Sequence, residues 1–196
     1  MCSSDLDRFE DIRDRLAEAA EADVVLSTGG VSVGEFDFVK EALDALGVER
    51  RFWKVAQKPG KPLTFGTRAG HLFFGLPGNP VSALVCFAVY VRPALRKLGG
   101  HRLLHLPAVE AALESPLKKA SRLTEFVRVW LSHGERGWTA RPARSQSSGV
   151  LTSLGGGAGL LVGPASRDML DAGERYQVFV LAPDTLARAT AGPEFE

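Results

Sequence analysis

The apolar positions of this chain change period along its length. From residue 7 to 22, Phe9, Ile12, Leu16, Ala19 and Ala20 recur at the three- and four-residue spacing of one helix face, with charges opposite. Val24-Val25-Leu26 then forms an unbroken apolar run, expected of a strand buried on both faces of a parallel sheet. It leads into Ser27-Thr28-Gly29-Gly30, where side chains shrink and backbone N–H groups become available. A second helix is predicted over 38–46, with Gly47 as its C′ residue. Residues 48–56 alternate as a strand, 57–62 form a turn, and Leu63-Thr64-Phe65 is a short strand. Arg68-Ala69-Gly70 turns the chain into a second apolar strand, 71–76. Pro77-Gly78-Asn79-Pro80 opens a long helix over 81–98. Asn79 suits its N-cap, and Pro80 costs nothing at N1, where its missing N–H would be unpaired anyway. Pro93 should kink or restart this helix, and Gly99-Gly100 should end it.

Beyond residue 100 the pattern becomes strand-like. Runs at 107–113, 125–132, 137–142, 160–162 and 175–181 are separated by turn signals at 133–137 and 155–159, and only 148–154 suggests a short helix. The first half is therefore α/β, and the second a small all-β barrel or sandwich. With 196 residues, the chain is long enough for one sizeable domain or two small ones with cores of their own. A formal net charge of +1 gives no electrostatic case for nucleic acid or an anionic membrane as partner. The longest strongly apolar stretch, 83–91, is too short to span a bilayer. Cys2 and Cys86 have no metal or redox spacing, which makes a reduced cytoplasmic setting the default. Met1-Cys2-Ser3-Ser4-Asp5-Leu6 has no signal-peptide character and reads as the translation of a common sequencing-adapter end. Residues 1–6 are accordingly expected to be non-native, with the natural reading frame continuing upstream.

Three glycine- and proline-rich stretches carry the candidate chemistry. After the first strand come Gly29-Gly30-Val31-Ser32-Val33-Gly34 and two carboxylates, Glu35 and Asp37, before the helix at Phe38. Strand, glycine turn, acid and helix is the layout of a site for an anion, with or without a divalent metal. Asp37 is equally well placed as an N-cap, and Glu35 as a solvated loop acid. In the second stretch, Pro59-Gly60 fits the centre of a type II turn, which would bring Lys58 and Lys61 within about 7 Å at Cα. Two ammonium groups held that close suit a phosphate or other oxyanion, although a solvated turn explains them too. Lys54 adds to the same charge or is a half-exposed strand lysine. In the third, Leu76-Pro77-Gly78-Asn79-Pro80-Val81-Ser82 places a capped helix start beyond the carboxyl end of a strand, where open α/β sheets bind ligands; a purely structural turn has the same residues. Gly30-x-Ser32-x-Gly34 also matches the nucleophile elbow of serine hydrolases. However, strand and helix do not abut Ser32, and no triad acid lies between it and a histidine outside the adjacent helix region. His101 and His105 lack a third zinc ligand, His71 and His133 stand alone, and Cys86 reads as a buried small side chain.

In order and spacing, the stretches 28–37, 52–62 and 75–82 together resemble the molybdopterin molybdenumtransferases, the MoeA/gephyrin-E-domain family. The resemblance extends through Glu125-Phe126-Val127-Arg128 and 147–154. It implies a truncated parallel-sheet molybdopterin-binding domain, MogA/MoaB-like, over 7–100 and a carboxyl-terminal β-barrel domain over 105–196. It further implies a transferase that inserts molybdate into adenylylated molybdopterin and releases AMP with Mg2+ as cofactor. In that family's pattern Asp37 is the required acid and a Mg2+ candidate, with Glu35 beside it. Lys54, Lys58 and Lys61 match the basic residues of the pocket; Pro77 and Pro80 shape it; Gly29, Gly30, Ser32, Gly34, Gly78, Asn79 and Ser82 line it. Arg128 is an anion contact from the β domain. The resemblance also implies a homodimer, two further amino-terminal domains and an earlier TGDE-type turn that has no match here. A non-catalytic pterin-binding or scaffold module is the alternative, and the metal handled is open between molybdenum and tungsten.

Overall fold

The computed structural model describes residues 8–30, 38–147 and 158–181, together with Gly149 and Leu186. The chain divides into two units, Met1–Val55 with Gly60–Arg102, and Ala56–Pro59 with Leu103–Glu196. The first unit begins with helix α1 (Phe9–Ala19), strand β1 (Val24–Thr28), helix α2 (Phe38–Ala45) and strand β2 (Glu49–Trp53). After β3 (Gln57–Lys58), which belongs to the second unit, β4 (Thr64–Arg68) and β5 (His71–Leu76) follow. A helical run then comprises α3 (Pro80–Cys86), a π-helical turn (Phe87–Val91) and α4 (Arg92–Leu98).

The sheet of this unit has the order β1-β5-β4-β2. β1 and β5 are parallel and in register from Val24 opposite Leu72 to Thr28 opposite Leu76. The sheet is mixed, because β4 runs antiparallel to both β5 and β2. Ala69 (φ 49°) and Gly70 (φ 91°) make a two-residue turn with both residues left-handed, which closes a hairpin and cannot make a parallel crossover. Two antiparallel steps restore the direction of β2 to that of β5 and β1. The carboxyl ends of all three therefore lie at one sheet edge.

Apolar layers cover both faces. Ile12 and Leu16 of α1, with Val39, Ala42 and Leu43 of α2, pack with Val25, Val48 and Phe73. Leu63, Phe74, Leu76, Cys86 and Val91 form the opposite layer. β1 is not buried on both faces as its apolar run suggested: Leu26 is 42% exposed. β1 pairs only with β5 among the described residues; Val25 meets the α1–α2 layer, and on the alternate side Val24 packs against the opposite layer while Leu26 is left exposed. Gly47 closes α2 as expected at φ 73°, with Val48 N–H bonded to Leu43 O and Gly47 N–H to Asp44 O. Ahead of Pro93, Arg92 N–H reaches five residues back to Phe87 O. This wider turn lies where the proline ring would otherwise crowd the preceding carbonyls. Asn79 holds the extended N-cap backbone (φ −72°, ψ 121°), but its side chain makes no capping hydrogen bond.

The second unit consists of β6 (Ala108–Leu113), β7 (Leu117–Lys118), β8 (Thr124–Gly134), β9 (Gly137–Pro142), β10 (Ala158–Gly163), β11 (Met169–Leu170) and β12 (Arg175–Val180). Neighbours in the order β10-β12-β6-β9-β8 are hydrogen-bonded, and β8 pairs back to β10, closing a five-stranded barrel. Leu113, Val127, Val129, Ala140, Leu161, Leu170 and Val178 are among the residues that fill it. β3 adds in parallel to the start of β8, with Gln57 opposite Thr124 and Lys58 opposite Glu125. The two-residue strands β3, β7 and β11 were not expected, since two residues show no periodicity. The helix expected over 148–154 lies outside the described residues. At Gly159 a Cβ would come 2.5 Å from Val178 Cγ1 and 3.2 Å from Phe179 O, so the barrel wall admits only glycine there without repacking. Gly159→Ala should accordingly lower stability by about 1–3 kcal/mol through overpacking, read as a drop in denaturant midpoint at unchanged slope.

Candidate functional site

The first and third motifs meet at the carboxyl edge of the mixed sheet. β1 and β5 end together, Thr28 opposite Leu76, and Gly29 N–H donates to Leu76 O at 3.0 Å. Gly29 (φ 85°) and Gly30 (φ 63°) then turn in the left-handed region, where a side chain would be strained. A Cβ on Gly78 would stand 3.2 Å from Gly29 Cα, so the two turns lie backbone against backbone. Pro77 is buried beneath them, while Gly78, Asn79 and Pro80 are exposed at the start of α3. Ser82 is buried, 7% exposed, in the first turn of α3.

The second motif reaches this edge from the other side. Trp53, the last residue of β2, stands opposite Thr64 of β4, which in turn stands opposite Gly75 of β5. Lys54 follows with φ 69°, an unusual backbone for a residue with a Cβ. Its N–H donates to Leu63 O at 2.9 Å, and Val55 N–H donates to Lys61 O at 2.9 Å, which ties the Lys54 and Lys61 backbones together. The loop rests on the fully buried Leu63 and on Cys86 of α3, whose thiol donates to Gly60 O at 3.5 Å. Lys54 Nζ lies 3.8 Å from the centroid of the Trp53 ring, and Lys40 Nζ of α2 lies 4.6 Å from it. Sequence reasoning missed both Trp53 and Lys40. The adjacency of Trp53 to Lys54 was legible; the approach of Lys40, thirteen residues upstream of Trp53, was not.

Two of the expected features have surroundings that the motifs did not show. Gly60 has the left-handed φ (92°) asked of a type II turn, but the Lys58–Pro59 peptide is cis and the chain changes unit between Pro59 and Gly60. Lys58 is held in the β3–β8 ladder, and Lys61 O accepts from Val55 N–H. Arg128 is 1% exposed, and its Nη2 donates to the carbonyls of Ser145 and Ser147, both at 3.1 Å. Gln146 clamps its backbone, accepting from Arg128 N–H at 3.0 Å and donating to Arg128 O at 2.9 Å. Arg128 therefore anchors the 145–147 loop to β8, while its buried Nε has no hydrogen-bond partner among the described residues; the cost of burying it holds its pKa below the usual guanidinium value.

Ser32, Gly34, Glu35 and Asp37 lie outside the described residues, and with them the acidic part of the expected site. Among the described residues, no three His, Cys, Asp or Glu side chains cluster as metal ligands. The described part of this edge offers ammonium groups and backbone donors, which suit an anion, and the Mg2+ candidates Glu35 and Asp37 lie outside it. No helix among the described residues is long and apolar enough to cross a membrane.

The comparisons with known proteins follow the same division. Residues 6–97 match the family model described as "Probable molybdopterin binding domain", and residues 110–181 match "MoeA C-terminal region (domain IV)". The chain belongs to the MoeA family. It is 34% identical to gephyrin of Dictyostelium discoideum over 202 residues, covering 90% of this chain and 28% of that protein. It is 45% identical to the molybdopterin molybdenumtransferase of Haemophilus influenzae over 123 residues, covering 62% of this chain and 30% of that protein. The solved structure of the molybdopterin biosynthesis MoeA protein from Pyrococcus horikosii superposes with a TM-score of 0.72 at 28% identity, covering 89% of this chain and 41% of that one. The chain thus spans less than half the length of each of these MoeA-family proteins, and it shares their α/β domain followed by a β-barrel.

Cys86 provides a test of how tightly the lysine loop is seated. Burial pushes its thiol up to about 12 from a usual value of 9.0, and raises the neighbouring Tyr90 as well. The fold favours the neutral thiol. Its contribution to stability is therefore complete below pH 9 and lost as pH rises toward 12. In a Cys2→Ser background, native protein at pH 8 should resist a disulfide thiol reagent and react promptly once unfolded in guanidinium; prompt native reaction would mean that the loop opens away from α3.

Proposed function

We propose that the chain carries the pterin-binding and carboxyl-terminal parts of a molybdopterin molybdenumtransferase. In this reading it takes adenylylated molybdopterin and molybdate and releases AMP as molybdenum enters the pterin dithiolene. The observation that supports it most directly is the Gly29–Gly78 backbone contact at the carboxyl edge of three co-directional strands, the third of which, β2, runs into Lys54. Both substrates are anions, and this edge offers what anions need. The exposed Gly78-Asn79-Pro80 turn carries backbone donors to the start of α3, and Pro77 and Pro80 fix its course. Lys54 and Lys61 supply compact positive charge on backbones bonded to one another's loop. Ser82 backs the turn from beneath, and Lys58 belongs to the same substrate set.

Asp37 is proposed as the catalytic acid, and Asp37 with Glu35 as donors to Mg2+; the turn of Gly30, Ser32 and Gly34 is proposed to lead the chain to them. The same reading assigns residues 7–100 to the pterin-binding domain and 105–196 to the barrel domain, in a cytoplasmic protein that pairs with a second copy. Gephyrin is among the relatives, so a module that binds the pterin without turning it over is the competing reading. Turnover separates the two. Protein mixed with adenylylated molybdopterin should release AMP only when molybdate and magnesium are both present. Asp37→Ala should abolish that release, and Lys54→Ala should lower kcat/KM by about a hundredfold or more. Pterin binding without AMP release in any mixture would favour the binding module.

A further inference from the structure

We infer that Lys40, Trp53 and Lys54 form one oxyanion site, in which Lys40 is a second cationic contact and Trp53 a positioning residue for both lysines. The inference rests on the reading above only in taking Lys54 as part of the anion pocket. Its starting point is that two ammonium groups share one indole, at 3.8 and 4.6 Å from the ring centroid. They come from different elements, Lys40 from the first turn of α2 and Lys54 from the residue after β2. Their nitrogens are no further apart than the two distances together, 8.4 Å, close to the Debye length of about 8 Å at physiological salt, so each feels the other.

Three features make this more than two lysines draped over a surface ring. Other charges close by in sequence are neutralised in pairs: Arg50 with Asp44 at 3.2 Å and Arg51 with Glu49 at 2.6 Å. Among the described residues, Lys40 and Lys54 enter no such pair. Lys40 also stands in the first turn of a helix, where the macrodipole already presents positive potential and disfavours a cation. Lys54 holds its ammonium over the ring from a left-handed backbone at φ 69°. Cationic charge is thus concentrated against intrinsic preference at the carboxyl end of β2. An anion bridging the two ammonium groups relieves their repulsion and meets the dipole of α2. Trp53, 37% exposed, limits the freedom of both side chains by attraction to its face. The ligand class is a compact tetrahedral oxyanion, and its source is either molybdate or a phosphate monoester.

The full chain should be titrated calorimetrically at low salt, once with sodium molybdate and once with inorganic phosphate. Lys40→Gln should weaken binding by about tenfold, the value of one charge-assisted contact. An effect on molybdate alone, on phosphate alone or on both identifies the source, and each supports the site. Trp53→Leu should weaken binding by about threefold with an unchanged melting temperature, and Trp53→Phe, which keeps an aromatic face, should restore it. If Lys40→Gln binds within twofold of wild type while Lys54→Gln loses affinity, the inference falls and the transferase pocket stands. Trp53→Leu binding as wild type does would remove the positioning role. A wild-type protein that takes up neither anion at millimolar concentration would overturn both the inference and the pocket it extends.

Discussion

A side chain at Gly78 would collide with Gly29 at 3.2 Å, and Gly29 has already committed its N–H to Leu76 O. The close approach follows from the register of β1 and β5, which end level at Thr28 and Leu76, so that the turns leaving them compete for the same space. Glycines suit both turns at the sheet edge: a Cβ at Gly78 would be tight against Gly29, and the positive φ of Gly29 disfavours a side chain there. Shifting the register by one residue would put Leu76 on the wrong face and bring a side chain into the gap. The start of α3 follows directly from this contact.

Lysine charge reaches the same edge by a less direct route. β2 points the same way as β5 only because β4 reverses the chain between them, and β4 is reversed by the Ala69-Gly70 turn. From the end of β2, Lys54 and Lys61 are held by backbone bonds across the loop, and the loop is pressed onto Leu63 and Cys86. Apolar packing therefore sets where the charges stand, while the charges contribute little to holding the fold. That division is expected of an exposed lysine such as Lys61 and a half-buried one such as Lys54, since ion pairs near the surface are worth at most about 1 kcal/mol.

How much of this was legible in the sequence depends on the range of the interaction. The glycine turns, the Pro80 helix start, Gly47 and the strands of the barrel were readable because each is a local signal: a small residue where φ is positive, or an alternation long enough to count. Leu26 was misjudged because apolar composition does not say whether a strand is central or at an edge. β3 was missed because two residues have no period, and its partner β8 lies over sixty residues downstream. The partners of Arg128 were hidden for a related reason. Its neighbours in sequence match a family pattern, but the Ser145 and Ser147 carbonyls that accept from its Nη2 are brought in by the barrel.

The placement of β3 changes how the basic loop should be understood. Residues 54 to 61 read as a single lysine-rich turn, yet Lys54 and Lys61 are bonded within the first unit and Lys58 within the ladder of the second. Glu125, opposite Lys58, is itself buried and accepts from Ser121 N–H at 2.8 Å and Ser121 Oγ at 2.9 Å, so the strand that receives β3 is fixed from behind. Gln57, 3% exposed, donates to Pro59 O at 2.9 Å and secures the segment where the chain changes unit. A substitution in the first turn of β8 therefore acts on Lys58 through main-chain hydrogen bonds, while Lys54 and Lys61 answer to Leu63 and Cys86. The three lysines that a motif presents as one feature are held by two separate units, so an alteration within one unit need not displace all three.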